Sequence, residues 1–587
     1  MDERVRDILA GTFRLRDDGT DKVTSLEDAI KQKVKPGMNL YIGESANALM
    51  CEIIRQFSES RPEFTLITGL VMDYASDFVH CGLVKKLITT SCTELYPSPA
   101  PIPMVQKAYK EKNVEIENWS LLSMVQRLMA GALGVGFMPT KSIVGTTMAE
   151  ENQGSFQVIG DPFGGSRKIG VVKALNPDLA LIHGWAADRH GNTILAPSIL
   201  TGQGSWGATA SREGVVVTVE KLVSTDFIRE YSGWVRIPGY LVNSVSVVPL
   251  GAHPQARINP GIKEFEGYGP DYKFLAEHRK ASRDAKALNV WIKEWVLDCK
   301  NNEDYLRKLG YERILFLKGM KDIDAWEYNL ASMDEEISTN KECTLLERMI
   351  IVAAEKIKGI VLDQGYKVIL GGVGASGLAA WVAYYQLKKE NYDIDLLTGS
   401  GLFGLAPRPT DPQMPSVYHL PTCKMLTDVV DAYGVFVGGE NNRCLSILGA
   451  GQIDKYGNIN STKLSEEVYL IGSGGSNDAA NARELVVVMN QSRRRFLEKV
   501  PYITCRGKNV STLISDKGVF EKLGGEELIL TGYFPASTQE EDIEGIKEDC
   551  GWNLQVSPTI KEISVPTLEQ LVILRLLDPE RHFTGER

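Results

Sequence analysis

The chain has 587 residues, of which 43% are hydrophobic and 24% are charged, and its formal net charge is −10. This length is too great for one hydrophobic core, so we expect two or more domains. The acidic total argues against a nucleic-acid-binding protein, because such proteins normally carry a basic face.

The sequence gives no signal for a membrane segment, a secretory route or a metal site. Nine cysteines are scattered without a Cys-x-x-Cys pair, and seven histidines lack His-Glu-x-x-His spacing, so no zinc or redox site is indicated. The N-terminal segment has no apolar core, and no apolar run approaches the roughly 20 residues of a membrane helix. We therefore expect a cytoplasmic protein without a tightly bound cofactor and without nucleic acid or membrane as a partner.

The first predicted unit is a strand, a glycine turn and a helix within 39–57, NLYIGESANALMCEIIRQF. Glu44 lies in this turn, where a carboxylate either favours the start of the helix through its dipole or serves a site. Glu94 follows a predicted strand and is either a loop charge or a site carboxylate. Glu115 and Glu117 lie two residues apart in another predicted strand and therefore share one of its faces. This face is either solvated or part of a site.

A hairpin signal follows within 178–194, where an apolar strand ends in Asp-x-x-Gly-Asn. Gly and Asn tolerate positive φ, as a tight hairpin requires. Residues 272–329 are rich in Lys, Glu, Leu and Trp and predict mostly helix. The polar, acidic stretch 331–345 has few large apolar residues and predicts a linker.

The second half repeats these signals in the same order. Residues 367–387 predict another strand–glycine turn–helix unit, and 444–460 predict another apolar strand followed by Asp-x-x-Gly-Asn. Two matches in the same order indicate duplication. We predict an α/β fold with two homologous domains, 1–330 and 346–587, with partly parallel sheets and a site at their interface.

Two further glycine turns occur in the second half. Residues 398–401, Thr-Gly-Ser-Gly, follow an apolar strand but contain no acid, base or strong nucleophile. Residues 472–475, Gly-Ser-Gly-Gly, end a β-type run and enter a predicted helix. Such a turn is either structural or a site for a phosphate, a carboxylate or an oxyanion, because glycine lets backbone N–H groups approach a ligand at a helix N-terminus.

Eight stretches form an ordered set along nearly the whole chain: RLMAGALGVGFMPTKSIVGTT (127–147), DPFGG (161–165), VPLGAHPQA (248–256), KEWVLDCKNNEDYLRKLG (293–310), GAGQIDKYGNINST (449–462), GSGGSNDAAN (472–481), QSRRRF (491–496) and SDKGVF (515–520). This set resembles the family I CoA-transferases, and most closely glutaconate CoA-transferase with its two subunits joined in one chain. The shared fold of the two subunits would also explain the duplication.

The resemblance implies an acyl-CoA substrate, an acceptor carboxylic acid and a glutamate nucleophile that forms a glutamyl-CoA thioester. Coenzyme A would enter as part of the substrate, and a homo-oligomer is expected. Backbone N–H groups of the 474–475 and 372–373 turns would stabilise oxyanions. By the same resemblance, the residues expected around the CoA end are Gly372, Val373, Gly399, Ser400, Gln452, Gly472, Gly474, Gly475 and Asn477.

The chain departs from the family at the nucleophile, because Gly399 occupies the glutamate position. One hypothesis is an enzyme that processes acyl-CoA by hydrolysis, C–C cleavage or decarboxylation without a glutamyl intermediate, using a base and an oxyanion hole. A second is a true CoA-transferase with a relocated carboxylate, for which the candidates are Glu44, Glu94 and Glu117. A third is a binding protein for CoA thioesters that lacks turnover. Arg127, Arg189 and Arg257 are candidates for pairing with a second carboxylate of the acyl group, although most arginines lie on solvated faces.

Overall fold

Two large mixed sheets form the framework of the chain, one from strands up to Val247 and one from strands beginning at Val368. The computed structural model describes residues 1–587 apart from 18, 44, 167, 196–203, 258, 260, 323, 334–336, 415, 417 and 586–587. Among the described residues, no helix has both the length and the apolar character needed to cross a bilayer.

The first sheet has ten strands. Its parallel part runs, in spatial order, through Val242–Val247, Val215–Leu222, Leu179–Ala187, Asn39–Ile42, Phe64–Val71, Val84–Glu94 and Glu115–Asn118. Antiparallel strands at its margins are Ala100–Pro101, Thr193–Ile194 and Val235–Ile237. Neighbours such as Leu40 and Tyr41 point to opposite faces, so both faces need a helical cover. One face packs on Leu26–Lys33, Asn47–Phe57, Tyr74–His80 and Pro103–Lys110, and the other on Leu121–Ala132 and Gly204–Ala210.

The second sheet also has ten strands, in the order Met425–Leu426, Leu402–Leu405, Asp395–Leu397, Val368–Gly371, Cys444–Leu448, Glu484–Val488, Val510–Ile514, Gly518–Glu521, Ile529–Tyr533 and Val556–Glu562. The strands from Asp395–Leu397 to Val510–Ile514 are parallel. One face packs on the helices Leu345–Gln364, Ala375–Lys389 and Leu568–Leu577.

The helix Leu121–Ala132 lies between the two sheets. Its residues Leu122 and Val125 pack with the second sheet, whereas Met124 and Leu128 pack with the first. A helix that is apolar on both sides is typical of a buried element. This helix therefore joins the two halves through a common core.

The duplication predicted from the sequence is visible in the structure. In each half, the strand before the glycine turn lies between the next strand and a later apolar strand, which is Leu179–Ala187 or Cys444–Leu448. Asp-x-x-Gly-Asn follows this later strand in the chain, directly in the first half and from the end of the short strand Gln452–Asp454 in the second. Asp188 accepts the backbone N–H groups of residues 190 and 192 at 3.0 and 2.9 Å. Asp454 accepts those of residues 456 and 458 at 3.1 and 2.9 Å. The two turns thus share one hydrogen-bond pattern.

The region 272–329 is mostly helical, as predicted. It contains Tyr272–Ala281, Ala285–Ile292, a π-helix at Lys293–Leu297, Asn302–Leu309, Tyr311–Gly319 and Ala325–Ser332. Within the predicted linker, residues 334–336 lie outside the described residues, and Arg575 donates to the carbonyls of Ser338, Asn340 and Glu342 at 2.6–2.9 Å. The domain limits 1–330, 331–345 and 346–587 remain our proposal.

Smaller elements complete the fold. The strands are Phe137–Thr140, Phe156–Gly160, Lys168–Lys173, Gln452–Asp454, Ile459–Asn460, Lys463–Ser465, Val468–Tyr469 and Phe496–Leu497. The helices are Glu3–Thr12, Thr147–Glu151, Thr225–Glu230, Ser476–Ala479 and Gln539–Glu548, with a π-helix at Val430–Val437. Short 3₁₀ turns lie at Ser232–Trp234, Gly239–Leu241, Leu420–Thr422 and Gly507–Asn509.

Candidate active site

A cavity of about 610 Å³ lies where the two halves meet. The first half contributes Ser91, Thr93 and Leu95, near the end of a parallel strand. The second half contributes three turns that follow its parallel strands, namely 371–373, 399–400 and 449–451. It also contributes the turn 472–476, which follows the antiparallel strand Val468–Tyr469. Loops at the carboxyl ends of parallel strands are the usual place for a site in an α/β fold.

The first half holds the turn 472–475 in place through backbone hydrogen bonds. The N–H of Cys92 donates to the carbonyl of Ile471 at 2.9 Å, and the N–H of Gly474 donates to the carbonyl of Thr90 at 2.8 Å. Gly472 has φ of +93°, a conformation that glycine adopts without steric cost. The cavity wall is therefore built by both halves together.

Asp478 makes a second, side-chain connection between the halves. Its carboxylate accepts hydrogen bonds from the hydroxyls of Ser120 and Ser142 at 2.8 and 2.6 Å and from the N–H of Leu122 at 2.9 Å. Burial raises the pKa of Asp478 to about 6, against the opposing effect of these donors. This carboxylate fixes the start of the helix Leu121–Ala132 beside the 472–475 turn.

Residues 398–401 form a tight turn directly after a buried strand. The N–H of Gly401 donates to the carbonyl of Thr398 at 3.0 Å, and the hydroxyls of Thr398 and Ser400 are 3.0 Å apart. Gly401 has φ of +96°, which again suits glycine. The turn presents Gly399 and Ser400 to the cavity.

The hydroxyl of Tyr433 is lodged between two glycine turns. A Cβ built at Gly399 would stand less than 3.0 Å from this hydroxyl oxygen, and so would a Cβ built at Gly475. Tyr433 belongs to the π-helix Val430–Val437, a rare helix type that is frequent at functional sites. The residue is only 7% exposed and lines the cavity. Within the described part of the chain, its hydroxyl has no hydrogen-bond partner.

Some hydrogen-bond donors of the cavity wall have a protein acceptor and others do not. The N–H of Gly372 donates to the carbonyl of Ile447 at 2.8 Å. By contrast, the N–H groups of Val373 and Gly475 donate to no acceptor among the described residues. The buried hydroxyl of Ser473 also lacks a partner there. Buried polar groups are nearly always paired, so this set of donors is suited to a ligand oxygen.

The described lining residues carry only two titratable groups, the phenol of Tyr433 and the guanidinium of Arg495. Arg495 donates to the carbonyls of Gly451 and Ala450 at 3.1 and 2.6 Å. Burial lowers the pKa of Arg495, while the charge of Asp516 opposes this shift. No described lining residue bears a carboxylate, an imidazole, a thiol or an amine. The wall is therefore positive and rich in donors.

Known proteins share this fold and sequence. Residues 23–247 match the sequence model of the family described as coenzyme A transferase. The chain is 26% identical to one of the two subunits of glutaconate CoA-transferase from Acidaminococcus fermentans over 330 residues, which are 51% of this chain and 94% of that subunit. It is 26% identical to the other subunit of the same enzyme over 246 residues, which are 37% of this chain and 88% of that subunit. The two subunits match different parts of the chain. These matches make the chain similar to enzymes of the coenzyme A transferase family.

A solved structure supports the same similarity at the level of the fold. An acyl-CoA transferase from E. coli O157:H7 superposes with a TM-score of 0.63 and 17% identity, over 94% of this chain and 96% of that chain. The predicted α/β fold and the resemblance to glutaconate CoA-transferase, with its two subunits joined, are confirmed.

Most of the residues expected at the CoA end line the cavity, namely Gly372, Val373, Gly399, Ser400, Gly472, Gly474 and Gly475. Gln452 does not line it, and its amide oxygen accepts from Asn460 at 2.8 Å. Asn477 lies behind the wall, where it accepts the N–H of Ile143 at 2.8 Å. The contacts of Gln452 and Asn477 are thus with protein groups that support the wall.

Glu94 faces away from the cavity. Its carboxylate is 2.8 Å from the Arg279 guanidinium and accepts the hydroxyl of Ser282 at 2.8 Å. Burial raises the pKa of Glu94, although both partners oppose the shift. Its chain neighbours Thr93 and Leu95 line the cavity, as the alternation of side chains along a strand requires.

Glu117 belongs to an ion-pair cluster outside the cavity lining. The predicted strand is observed at Glu115–Asn118, and both glutamates of one face bind Lys86, Glu115 at 2.9 Å and Glu117 at 2.7 Å. Glu117 also pairs with Arg127 at 2.9 Å. Burial alone would raise the pKa of Glu117, but the charge of Arg127 and the Lys86 hydrogen bond lower it.

Glu44 lies outside the described residues. Its chain neighbours line a small adjoining pocket of about 30 Å³, which shares Leu70 with the main cavity. Asp73 also lines that pocket, and it accepts a hydrogen bond from Gln255 at 2.6 Å. Burial raises the pKa of Asp73 to about 6. This aspartate, which belongs to no motif in the sequence, is a half-buried carboxyl group in the pocket next to the cavity.

The sequence did not single out Tyr433 and Arg495. Arg189 pairs with Asp21 at 2.7 Å, and Arg257 donates to the carbonyl of His183 at 2.8 Å. Neither lines the cavity, whereas Arg495 does. The arginine run in QSRRRF was the available signal for Arg495, but the apolar segment around Tyr433 offered none.

Proposed function

We propose that the protein acts on a CoA thioester in the cavity by a route that has no glutamyl-CoA intermediate. One observation carries this proposal: the space that a residue-399 side chain would need is filled by the hydroxyl of Tyr433. A glutamate at 399 would require the tyrosine ring to move, and the described lining offers no other carboxylate. The relatives that act as CoA-transferases support the CoA thioester as the ligand class.

Among the non-glutamyl reactions, decarboxylation makes the fewest demands on this lining. Hydrolysis and hydrolytic C–C cleavage need a base that activates water. Decarboxylation needs only stabilisation of the charge that develops on the thioester oxygen. The C–C bond to the carboxylate breaks, its electron pair enters the conjugated thioester as an enolate, CO₂ leaves, and a proton from solvent restores the acyl chain.

The substrate would then be an acyl-CoA whose second carboxylate is attached to the α-carbon of the thioester, or to the γ-carbon of an α,β-unsaturated thioester. Only such positions allow the electron pair to reach the carbonyl oxygen. Arg495 is the described lining group that can pair with an anion, and its guanidinium suits a carboxylate or a phosphate.

Product analysis tests the proposal. The protein is incubated with glutaconyl-CoA, malonyl-CoA, glutaryl-CoA and butyryl-CoA, each with and without acetate. CO₂, free CoA and acetyl-CoA are then quantified. We expect CO₂ with an intact shortened thioester from glutaconyl-CoA or malonyl-CoA, and no transfer of CoA to acetate. Free CoA in place of CO₂ would indicate hydrolysis, and no product from any thioester would contradict enzymatic action on this panel.

Covalent trapping tests whether an intermediate forms on a glutamate. Hydroxylamine or borohydride is added during turnover, and the protein is digested for peptide mass analysis. We expect no acyl, CoA or reduced adduct on any glutamate. An adduct on Glu44 or another carboxylate, together with ping-pong kinetics toward acetate, would overturn the proposal in favour of a relocated nucleophile.

A further inference from the structure

The phenol oxygen of Tyr433 lies next to two glycines of the cavity wall, Gly399 and Gly475. A Cβ at either Gly399 or Gly475 would collide with its oxygen. With glycine at both positions, the hydroxyl stands in the gap between the turns. Both turns line the cavity, so the gap opens onto the space available to a ligand.

The hydroxyl has no protein partner and is open to the cavity. Tyr433 as a whole is 7% exposed, and its oxygen has no hydrogen bond to any residue that the structure describes. The oxygen is nevertheless not sealed from solvent, and the residue lines the cavity. The ring packs in an apolar cluster with Leu122, Leu397 and Val429, a role that phenylalanine would fill without a polar atom. An unpaired hydroxyl at the cavity wall is a donor available to a ligand acceptor.

The surroundings keep this phenol protonated. Burial raises the pKa of Tyr433 well above its usual value, and the nearby carboxylate of Asp478 acts in the same direction. A neutral phenol in such a site is a hydrogen-bond donor rather than a base. Two further donors without an acceptor among the described residues, the hydroxyl of Ser473 and the N–H of Gly475, lie on the adjoining turn of the cavity.

We propose that Tyr433 is a catalytic residue whose hydroxyl donates a hydrogen bond to the thioester carbonyl oxygen, a bond that strengthens as this oxygen becomes an enolate or a tetrahedral oxyanion. The phenol keeps its proton throughout. Negative charge gathers on the substrate oxygen as the enolate or the tetrahedral oxyanion forms, and it leaves this oxygen when the carbonyl is restored. The N–H of Gly475 is placed to donate to the same oxygen. This inference rests on the proposed function only for the presence of a CoA thioester in the cavity.

The test combines a kinetic and a spectroscopic measurement on Tyr433→Phe. A lost oxyanion donor typically lowers kcat by roughly a hundred- to a thousand-fold. We expect such a loss with an unchanged Kd for free CoA, which has no thioester carbonyl. Tyr74→Phe is the control, because it removes a buried phenol that does not line the cavity. Tyr433→Phe with the kcat of the unaltered protein would overturn the proposal.

The infrared band of the thioester carbonyl reports the hydrogen bond without turnover. Glutaryl-CoA labelled with ¹³C at the carbonyl is bound to the full-length protein. We expect the carbonyl band at lower frequency than in solution, and a return toward the solution value in Tyr433→Phe. A bound thioester with the solution frequency in the unaltered protein would overturn the role of Tyr433, whether or not the variant folds. A failure of all four thioesters to bind would instead overturn the proposed function.

Discussion

The hydroxyl of Tyr433 and a side chain at position 399 compete for one volume. The Cβ that any residue other than glycine would place at 399 falls less than 3.0 Å from the phenol oxygen. Glycine at position 399 is therefore a steric condition for this position of the tyrosine. The first prediction follows directly from this competition.

We expect Gly399→Ala to lower the free energy of unfolding by about 1–3 kcal/mol, because one added methyl group overpacks the wall. Urea unfolding measures the change. Gly449→Ala is the matched control, since a Cβ there would lie 3.8 Å from its nearest neighbour in the same cavity. In a Tyr433→Ala background the penalty of Gly399→Ala should vanish. An equal penalty in both backgrounds would show that the two positions are uncoupled.

We expect Glu117→Gln to destabilise the fold by about 1–3 kcal/mol, because Lys86 and Arg127 both lose a charged partner. The comparison variant is Glu115→Gln, which contacts the same Lys86 from an exposed position. Its cost should stay below about 1 kcal/mol. Equal costs for the two variants in chemical denaturation would argue against a supporting role of Glu117 in the ion-pair cluster.

Replacement of Arg495 by glutamine removes the one cation of the described lining. Hydrogen bonds to charged groups contribute about 1.5–3 kcal/mol, so we expect the Kd for glutaryl-CoA to rise about ten- to a hundredfold. Calorimetry with glutaryl-CoA and butyryl-CoA separates two sources of the anion. If the affinity falls for glutaryl-CoA alone, the arginine pairs with the acyl carboxylate. If it falls equally for both thioesters, the arginine pairs with a CoA phosphate.

The control for this variant is Arg494→Gln, which alters an exposed neighbour that does not line the cavity. Its affinity for both thioesters should match that of the unaltered protein. If Arg495→Gln also bound both thioesters unchanged, the guanidinium would have only its structural contacts with the carbonyls of Gly451 and Ala450.

The buried carboxyl of Asp478 gives stability a defined pH dependence. Its folded pKa of about 6 lies above the unfolded value of about 3.9, so the folded state binds more protons between these pH values. The free energy of unfolding should therefore fall as the pH rises from about 4 to about 6, by about 3 kcal/mol for this group.

Urea unfolding across this range, on the unaltered protein and on Asp478→Asn, isolates the contribution of Asp478. In Asp478→Asn, the free energy of unfolding should fall less steeply as the pH rises. Part of the remaining fall comes from Asp73, whose pKa is also raised to about 6. Asp393→Asn changes an exposed aspartate, and its free energy of unfolding should fall with pH as steeply as that of the unaltered protein. Parallel curves for the unaltered protein and Asp478→Asn would contradict the assignment.

Much of the framework could be read from the sequence because it depends on local patterns. The strand–glycine turn–helix units at 39–57 and 367–387 and the two Asp-x-x-Gly-Asn hairpins follow from periodicity and from backbone conformations that favour Gly and Asn. The ordered motifs pointed to the CoA-transferase family, and most residues expected at the CoA end do line one cavity. Gln452 and Asn477 share those motifs but support the wall from behind, since a motif does not state which way each side chain points.

Local patterns and ordered motifs were enough to predict the repeated α/β units and the similarity to CoA-transferases, and the absence of a nucleophile at Gly399 stays a prediction. Which group fills the space beside Gly399 depends on tertiary packing. Tyr433 reaches the 398–401 turn because a π-helix, packed beneath Leu122 of the other half, directs its ring toward two glycines that are distant in sequence from it and from each other. Such an encounter depends on how helices and sheets pack, and no local periodicity encodes it.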